Sequence, residues 1–287
     1  MNIEALIKEA LLEDITDPIG IIPSGDHSSL AIFGHQSFGY AQLLVKEDGI
    51  LAGVELAKQI FAEVDPTLEM EYLKMDGQPI HKGDIVLKAK GNILSLLRAE
   101  RLVLNFMQRM SGIATTTAKY VNAVAGTNCK ILDTRKTTPN LRAIEKWAVR
   151  IGGGHNHRFG LFDMIMLKDN HVDFAGGIAN AIKYANEYKL KHQLDVAIEI
   201  ETRNLEEVKQ VLEVGQVKRI MLDNFTPAIV KEAVALIDKK YETEASGGIT
   251  LDSILAYAQS GVDYISVGAL THSVKSLDLS FKAFING

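Results

Sequence analysis

Two cations and three histidines crowd one short stretch: residues 152–171 read GGGHNHRFGLFDMIMLKDNH. His155, His157 and His171 raise the question of zinc, because His-x-His spacing suits a metal. The pattern places no third ligand, no cysteine helps, and Arg158 and Lys168 beside the histidines would repel a cation. The same charges suit an anion. Arg135 and Lys136 in KILDTRKT (130–137) join them, with Arg109 and Arg142 as further candidates. A planar guanidinium takes a carboxylate through two parallel bonds, whereas an ammonium acts on phosphate as a point charge. Glycine turns are the second anion device. ASGGIT (245–250) holds Ser246, Gly247 and Gly248, and SVGALTHS (266–273) holds Gly268 and His272. Backbone N–H groups at such turns and at helix N-termini bind phosphate. Glu201 and Asp223 suit sugar hydroxyls or Mg²⁺. Together these residues point to ligands that carry both carboxylates and phosphates.

Such residues need a scaffold that brings them together. From residue 113 onward, short apolar runs alternate with helical patterns. The runs are 130–137, 162–171, 196–202, 219–225, 241–248 and 264–270. Ile178, Ile182 and Ala185 follow the second run at helical spacing, and Leu205, Val208 and Leu212 follow the third. Thr226-Pro227 reads as an N-cap with proline at the first helical position, and Thr250 as the N-cap of a helix carrying Leu251, Ile254, Leu255 and Ala258. Repeated strand–helix units predict a parallel sheet covered by helices. An incomplete (β/α) barrel is the first choice and a doubly wound open sheet the second. In a barrel the C-terminal ends of the strands converge on one mouth, and here those ends are polar or glycine.

Residues 1–112 read as an N-terminal α+β domain, leaving 113–287 for the barrel-like domain. A helix is predicted over 2–13, strands at 39–46, 68–74 and 84–89, and a long helix over 94–110 whose apolar face is Leu96, Ala99, Val103, Phe106 and Met110. A C-terminal helix is expected to pack on the N-terminal domain. GQPIHKGDIVLKAKG resembles the turns of biotinyl or lipoyl carrier folds, and its expected role is structural.

Composition sets the outer bounds. The chain has 287 residues, of which 47% are hydrophobic and 23% charged, as in ordinary globular proteins. A net charge of −5 gives no bulk attraction to nucleic acid or an anionic membrane. No apolar run approaches membrane-spanning length, and MNIEALIKEALLED lacks the layout of a signal peptide. Cys129 is the one cysteine, expected to be buried and structural, and a reducing cytoplasm is the expected location.

The order and wording of the motifs carry a specific resemblance. ALLED, RAERLVLNFMQRMSGIAT, ILDTRKTTPNLR, GGGHNHRFGLFDMIMLKDNH, IEIET, IMLDNF, ASGGIT and SVGALTHS resemble, in order and over nearly the whole chain, the motifs of the quinolinate phosphoribosyltransferases. The early SGDHSS is looser than the family's form and receives no function. The resemblance implies an α/β N-terminal domain with an incomplete barrel. It also implies a reaction of quinolinate with phosphoribosyl pyrophosphate and Mg²⁺ that gives nicotinate mononucleotide, pyrophosphate and carbon dioxide.

By the same resemblance, Arg135, His157, Arg158 and Lys168 grip the quinolinate carboxylates, with Arg109 arriving from a neighbouring subunit of a homodimer or higher oligomer. Lys136 and Lys168 face the pyrophosphate. Glu201 and Asp223 serve the ribose hydroxyls and the metal, directly or through water. Ser246, Gly247, Gly248, Gly268 and His272 cradle the 5′-phosphate. Lys136, Lys168, Glu201 and Asp223 form the expected catalytic group, and Lys136 is the candidate for protonating the carbon left by decarboxylation. Two other readings stay open here. One is a phosphoribosyltransferase-like relative acting on another ligand, such as the molybdenum-transport-associated proteins; the other is a non-catalytic phosphosugar sensor.

Overall fold

The computed structural model describes residues 3–33 and 37–284. In chain order its elements are α1 (Ile3–Ile15), α2 (His27–Ile32), β1 (Phe38–Val45), β2 (Gly49–Ile50), α3 (Val54–Val64), β3 (Glu69–Tyr72), β4 (Pro79–Ile80), β5 (Ile85–Asn92), α4 (Ile93–Ala123), β6 (Lys130–Leu132), α5 (Arg142–Ile151), β7 (Met164–Leu167), α6 (Asp169–Ala175), α7 (Ile178–His192), β8 (Ala197–Thr202), α8 (Leu205–Val214), β9 (Arg219–Asp223), α9 (Pro227–Ile237), β10 (Glu242–Ser246), α10 (Ile254–Ala258), β11 (Tyr264–Ser266), α11 (Ala269–His272) and β12 (Leu279–Phe284). They divide into two compact units. The first holds residues 1–116, 143–152 and 274–287; the second holds 117–142 and 153–273.

The first unit is built on an antiparallel sheet in the order β12-β1-β5-β3. Alternation buries Ala41, Leu43 and Val45 of β1 and turns the residues between them outward. The expected C-terminal helix is instead β12, which pairs antiparallel with β1 from Tyr40↔Phe284 to Val45↔Leu279. Its core positions Leu279 and Phe281 stand two apart, a strand period that the short apolar segment shares with many helix ends. Residues 285–287 of that expectation, residue 2 of the N-terminal helix and residues 34–36 near SGDHSS lie outside the described residues. SGDHSS itself starts α2, where the Asp26 carboxylate accepts from the Ser29 N–H.

Helix α4 does not stop at 110. It runs for 31 residues, because Ile113 and Ala114 continue its buried face. Two polar residues just past 110 are bound to backbone. Ser111 Oγ accepts from Ala52 N–H at 2.9 Å, and Thr115 Oγ1 accepts from Ile50 N–H at 2.8 Å.

The second unit is a six-stranded parallel sheet, β6-β11-β10-β9-β8-β7, with β6 and β7 at its two ends. Beyond β6 the backbone of His155 adds a bridge to Leu132, so the glycine–histidine segment is laid against the sheet. Helices α7, α8 and α9 follow their strands with Ile182, Val208 and Val230 fully buried. Thr226 caps α9 and Pro227 opens it, as the sequence predicts. Thr250 is not the cap of the next helix. The chain turns through 251–253 first, and α10 begins at Ile254, with Thr250 O accepting from Ile254 N–H at 2.9 Å. Among the described residues no helix is long and apolar enough to cross a membrane.

Candidate active site

The strand ends of the second unit enclose a cavity of about 730 Å³. Arg135, Lys136, His157, Arg158, Lys168, Glu201, Asp223, Ser246, Gly247, Gly248, Gly268 and His272 line it. Arg109 and Arg142 do not. Arg142 Nε donates to Thr137 Oγ1 at 3.0 Å and its Nη1 to Phe159 O at 3.0 Å, so it braces two loops. Arg109 belongs to the first unit and donates from Nε and Nη2 to Glu145 Oε1, at 2.8 and 2.5 Å; that carboxylate is fully buried. Cys129 is buried, and burial, with the Asp263 and Glu244 charges nearby, pushes its thiol up to about 12. It stays protonated and is no nucleophile at neutral pH.

Inward positions two residues apart set the cavity's layers. Glu201 stands above Glu199, Asp223 above Met221 and Arg219, and Ser246 above Glu244. At the rim, Lys168 Nζ lies 3.1 Å from Glu201 Oε2. Burial raises the Glu201 carboxyl; Lys168 opposes this and the adjacent Asp223 adds to it. Asp223 is clamped at both oxygens, by Ser246 Oγ at 2.6 Å on Oδ1 and Asn224 Nδ2 at 2.6 Å on Oδ2. Two carboxylates held side by side, with hard oxygen donors, fit Mg²⁺, which keeps several of its waters and suits hydroxyl groups in the same place.

The glycine turns are built as backbone surfaces. Gly247 and Gly248 have φ of +96° and +61°, a region that side chains rarely adopt. At Gly268 a Cβ would press on His272 Nε2 at 3.0 Å and Lys136 Cδ at 3.2 Å, so its lack of a side chain leaves room at the cavity wall. The expected contribution of helix N-termini shrinks. Helices α10 and α11 have 5 and 4 residues, too few for an appreciable macrodipole, and the N–H groups of the turns themselves remain.

On the cationic side, Arg135 Nε is buried with no hydrogen-bond partner among the described residues. Arg158 Nη1 donates to Met164 O at 3.2 Å. Burial and then the neighbouring Arg135 charge hold the Arg158 guanidinium below its ordinary value, while Glu199 works against that. The three histidines separate. His155 is exposed, and its backbone extends the sheet. His171 Nδ1 accepts from Lys168 N–H at 2.9 Å, closing the first turn of α6. His157 is buried in a charged quartet. Its Nε2 lies 3.1 Å from Glu199 Oε2 and 3.4 Å from Glu244 Oε2, and Arg219 Nη1 lies 2.8 Å from Glu244 Oε2.

Among the described residues, His157, Glu199 and Glu244 are the cluster whose ligand atoms approach within 4.8 Å, as a metal would need. Arg219 already supplies the compensating charge there, which disfavours a metal ion. Burial acts against a charged His157 ring, but the two carboxylates outweigh it and push the imidazole up to about 9. Nδ1 accepts from the Arg158 N–H at 2.7 Å, a bond that charging the ring would forfeit. The alternative home for the proton is Glu199, whose carboxyl is raised by burial and by Glu244.

Tyr120, Thr134, Glu244 and Ser266 also line the cavity and were not singled out from the sequence. Glu244 and Ser266 sit at strand positions; the one signal for Glu244 is its spacing of two from Ser246. Tyr120 was hidden by the predicted end of α4. Asn224, at φ +59°, lies directly after Asp223.

Known proteins share this arrangement along the whole chain. The family described as quinolinate phosphoribosyl transferase, N-terminal domain, matches residues 26–111, and the corresponding C-terminal domain matches 113–282. The chain is 49% identical to the chloroplastic nicotinate-nucleotide pyrophosphorylase [carboxylating] of Arabidopsis thaliana, over 98% of this chain and 82% of that protein. It is 44% identical to the probable nicotinate-nucleotide pyrophosphorylase [carboxylating] of Bacillus subtilis, over 98% and 93%. The crystal structure of NadC from Streptococcus pyogenes superposes with a TM-score of 0.90 at 40% identity, covering 99% of this chain and 97% of that one. Both domain matches and full-length identity agree with the cavity's chemistry, and the chain belongs to the quinolinate phosphoribosyltransferase family.

Proposed function

We infer that the protein transfers the phosphoribosyl group of phosphoribosyl pyrophosphate to quinolinate, with decarboxylation, giving nicotinate mononucleotide, pyrophosphate and carbon dioxide for NAD synthesis. The observation that carries this reading is one cavity holding Arg135, Lys136, Arg158 and Lys168 together with Glu201, Asp223 and two glycine turns. A dianionic pyridine and a phosphorylated sugar need both halves.

The pyridine nitrogen is already nucleophilic, so the protein's task is positioning rather than base catalysis. It attacks C1 of the ribose as the bond to pyrophosphate breaks, and the electron pair leaves with pyrophosphate. Fixed cations stabilise the charge gathering there. Lys136 and Lys168 are assigned to the pyrophosphate, and Arg135, His157, Arg158 and Lys168 to the quinolinate carboxylates. Glu201 and Asp223 are assigned to the ribose hydroxyls, and Ser246, Gly247, Gly248, Gly268 and His272 to the 5′-phosphate. Mg²⁺, held by Glu201 and Asp223 directly or through water, would add positive charge beside the pyrophosphate. Ribosylation makes the ring nitrogen cationic. The bond to the adjacent carboxylate then breaks, carbon dioxide departs, and the electron pair left on the ring carbon takes a proton, for which Lys136 is the assigned donor.

The working unit is assigned as a homodimer or larger oligomer in which Arg109 serves a neighbour's site, and a reducing cytoplasm suits the single buried thiol. The deciding experiment incubates the protein with quinolinate, phosphoribosyl pyrophosphate and Mg²⁺ and identifies the products. Nicotinate mononucleotide and carbon dioxide are expected; activity stripped by a chelator should return with Mg²⁺ alone, without stoichiometric zinc. Absence of the mononucleotide would overturn the reaction, and nicotinate outperforming quinolinate would overturn the specificity.

A further inference from the structure

We propose that Glu199 and Glu244 are positioning residues of the quinolinate pocket, acting on Arg158 through His157. The proposal rests on the reaction assigned above.

Both carboxylates are fully buried, one layer beneath the cavity's rim, on β8 and β10 with Arg219 of β9 between them. Burying two carboxylates is expensive even when they are paired, and well-packed apolar side chains commonly serve a fold as well or better. Barrel interiors are ordinarily filled by branched aliphatic residues. The fold alone therefore gives no reason for this quartet, and what it touches does. Above it stands His157, held on all sides. Its N–H donates to Asp133 Oδ1 at 2.8 Å, its Nε2 faces Glu199 and Glu244, and its Nδ1 receives the Arg158 N–H. A ring engaged at both nitrogens fixes the chain at 157–158.

Charge leads to the same assignment. Arg158 and Arg135 face one cavity and repel each other, and the Glu199 charge counters that repulsion at Arg158. A pocket for a dianion needs its cations assembled before the ligand arrives. The Glu199 charge, held in the His157 contact rather than paired directly with either guanidinium, eases their convergence. Ser266 helps hold Glu244 in that layer.

The test uses Glu199→Gln and Glu244→Gln, which keep volume and remove charge. Each should raise the KM for quinolinate about 10- to 100-fold, the scale of loss when a reacting group is misplaced from a distance. The KM for phosphoribosyl pyrophosphate should change by less than about twofold, because uniform binding is lost for one substrate only. Combining Glu244→Gln with Arg158→Ala should add nothing to the quinolinate loss of Arg158→Ala, since both act on one contact. Equal losses for the two substrates, or additive losses in the double variant, would overturn the proposal. If the glutamine variants do not fold, Glu199→Leu/Arg219→Met/Glu244→Leu removes the whole charged layer. Folded protein with the same selective quinolinate defect supports the proposal, and a wild-type KM overturns it. Failure of all these variants to fold would mean that the side chains serve the fold, which overturns it too. A wild-type protein that forms no nicotinate mononucleotide sinks the assigned reaction instead, so the two failures are distinguishable.

Discussion

Arg158 is the residue on which the proposed selectivity of the pocket is most directly tested. Its guanidinium lines the cavity beside Arg135, and its backbone is tied to His157. Arg158→Ala should weaken quinolinate far more than phosphoribosyl pyrophosphate, by roughly 1.5–3 kcal/mol for a lost charge-assisted contact. Separate titrations of the two substrates measure this, and equal losses would show that Arg158 only shapes the cavity. The His157 quartet makes a pH prediction. The folded state keeps a proton to about 9 that an ordinary imidazole releases near 6.5. A raised folded value adds stability that is complete below 6.5 and is lost as pH rises through about 9. Denaturant midpoints of the wild type should therefore fall across that window more steeply than those of His157→Gln. Parallel curves would show no proton uptake on folding. The cations and glycines of the cavity were legible in the sequence because they stand out at the ends of apolar runs. Glu244 was not, because whether a charge in a strand is buried depends on what packs around it.

Elements were legible where one period dominated. All six barrel strands, α7 and α8 follow from alternation between short apolar runs and helical spacing, and the start of α9 from Thr226-Pro227. Their ends were less so. The apparent end of α4 near residue 110 hid Ser111 and Thr115, whose hydroxyls bind loop backbone within the unit. The Ser111-Gly112 break in helical propensity is overridden because tertiary partners satisfy the hydroxyl. The turn after β10 gives a prediction at this scale. Gly247 has φ +96°, and a Cβ there would meet the Asn224 backbone nitrogen at 2.9 Å; Gly248 has φ +61° with open space. Gly247→Ala combines strain of about 1–3 kcal/mol with that clash, whereas Gly248→Ala carries only the left-handed penalty of about 1–2 kcal/mol. Phosphoribosyl pyrophosphate affinity should fall clearly more in Gly247→Ala, with quinolinate affinity little changed in both. Identical losses would mean that the turn binds phosphate through features other than its shape.

At the scale of the whole molecule, the test of Arg109 asks whether one chain or two make a working site. From sequence it looked placed at the end of a helix, where a cation caps the carbonyls. Helix α4 continues to Ala123, so that explanation fails. Arg109 instead pairs with buried Glu145 and is itself only partly exposed. The remaining explanations are an internal tie between α4 and α5, or a guanidinium oriented by Glu145 for a neighbour's quinolinate. Subunit complementation separates them. Arg109→Ala and Arg135→Ala, each nearly inactive, are mixed and allowed to exchange. In a mixed dimer, the Arg109→Ala chain keeps its own Arg135 and borrows the partner's intact arginine, so one of two sites works. Random pairing makes about half the dimers mixed, and activity should recover to roughly a quarter of wild type in a two-fold assembly. If exchange is demonstrated and no activity returns, Arg109 acts within its own chain, and the Glu145 pair is a structural tie.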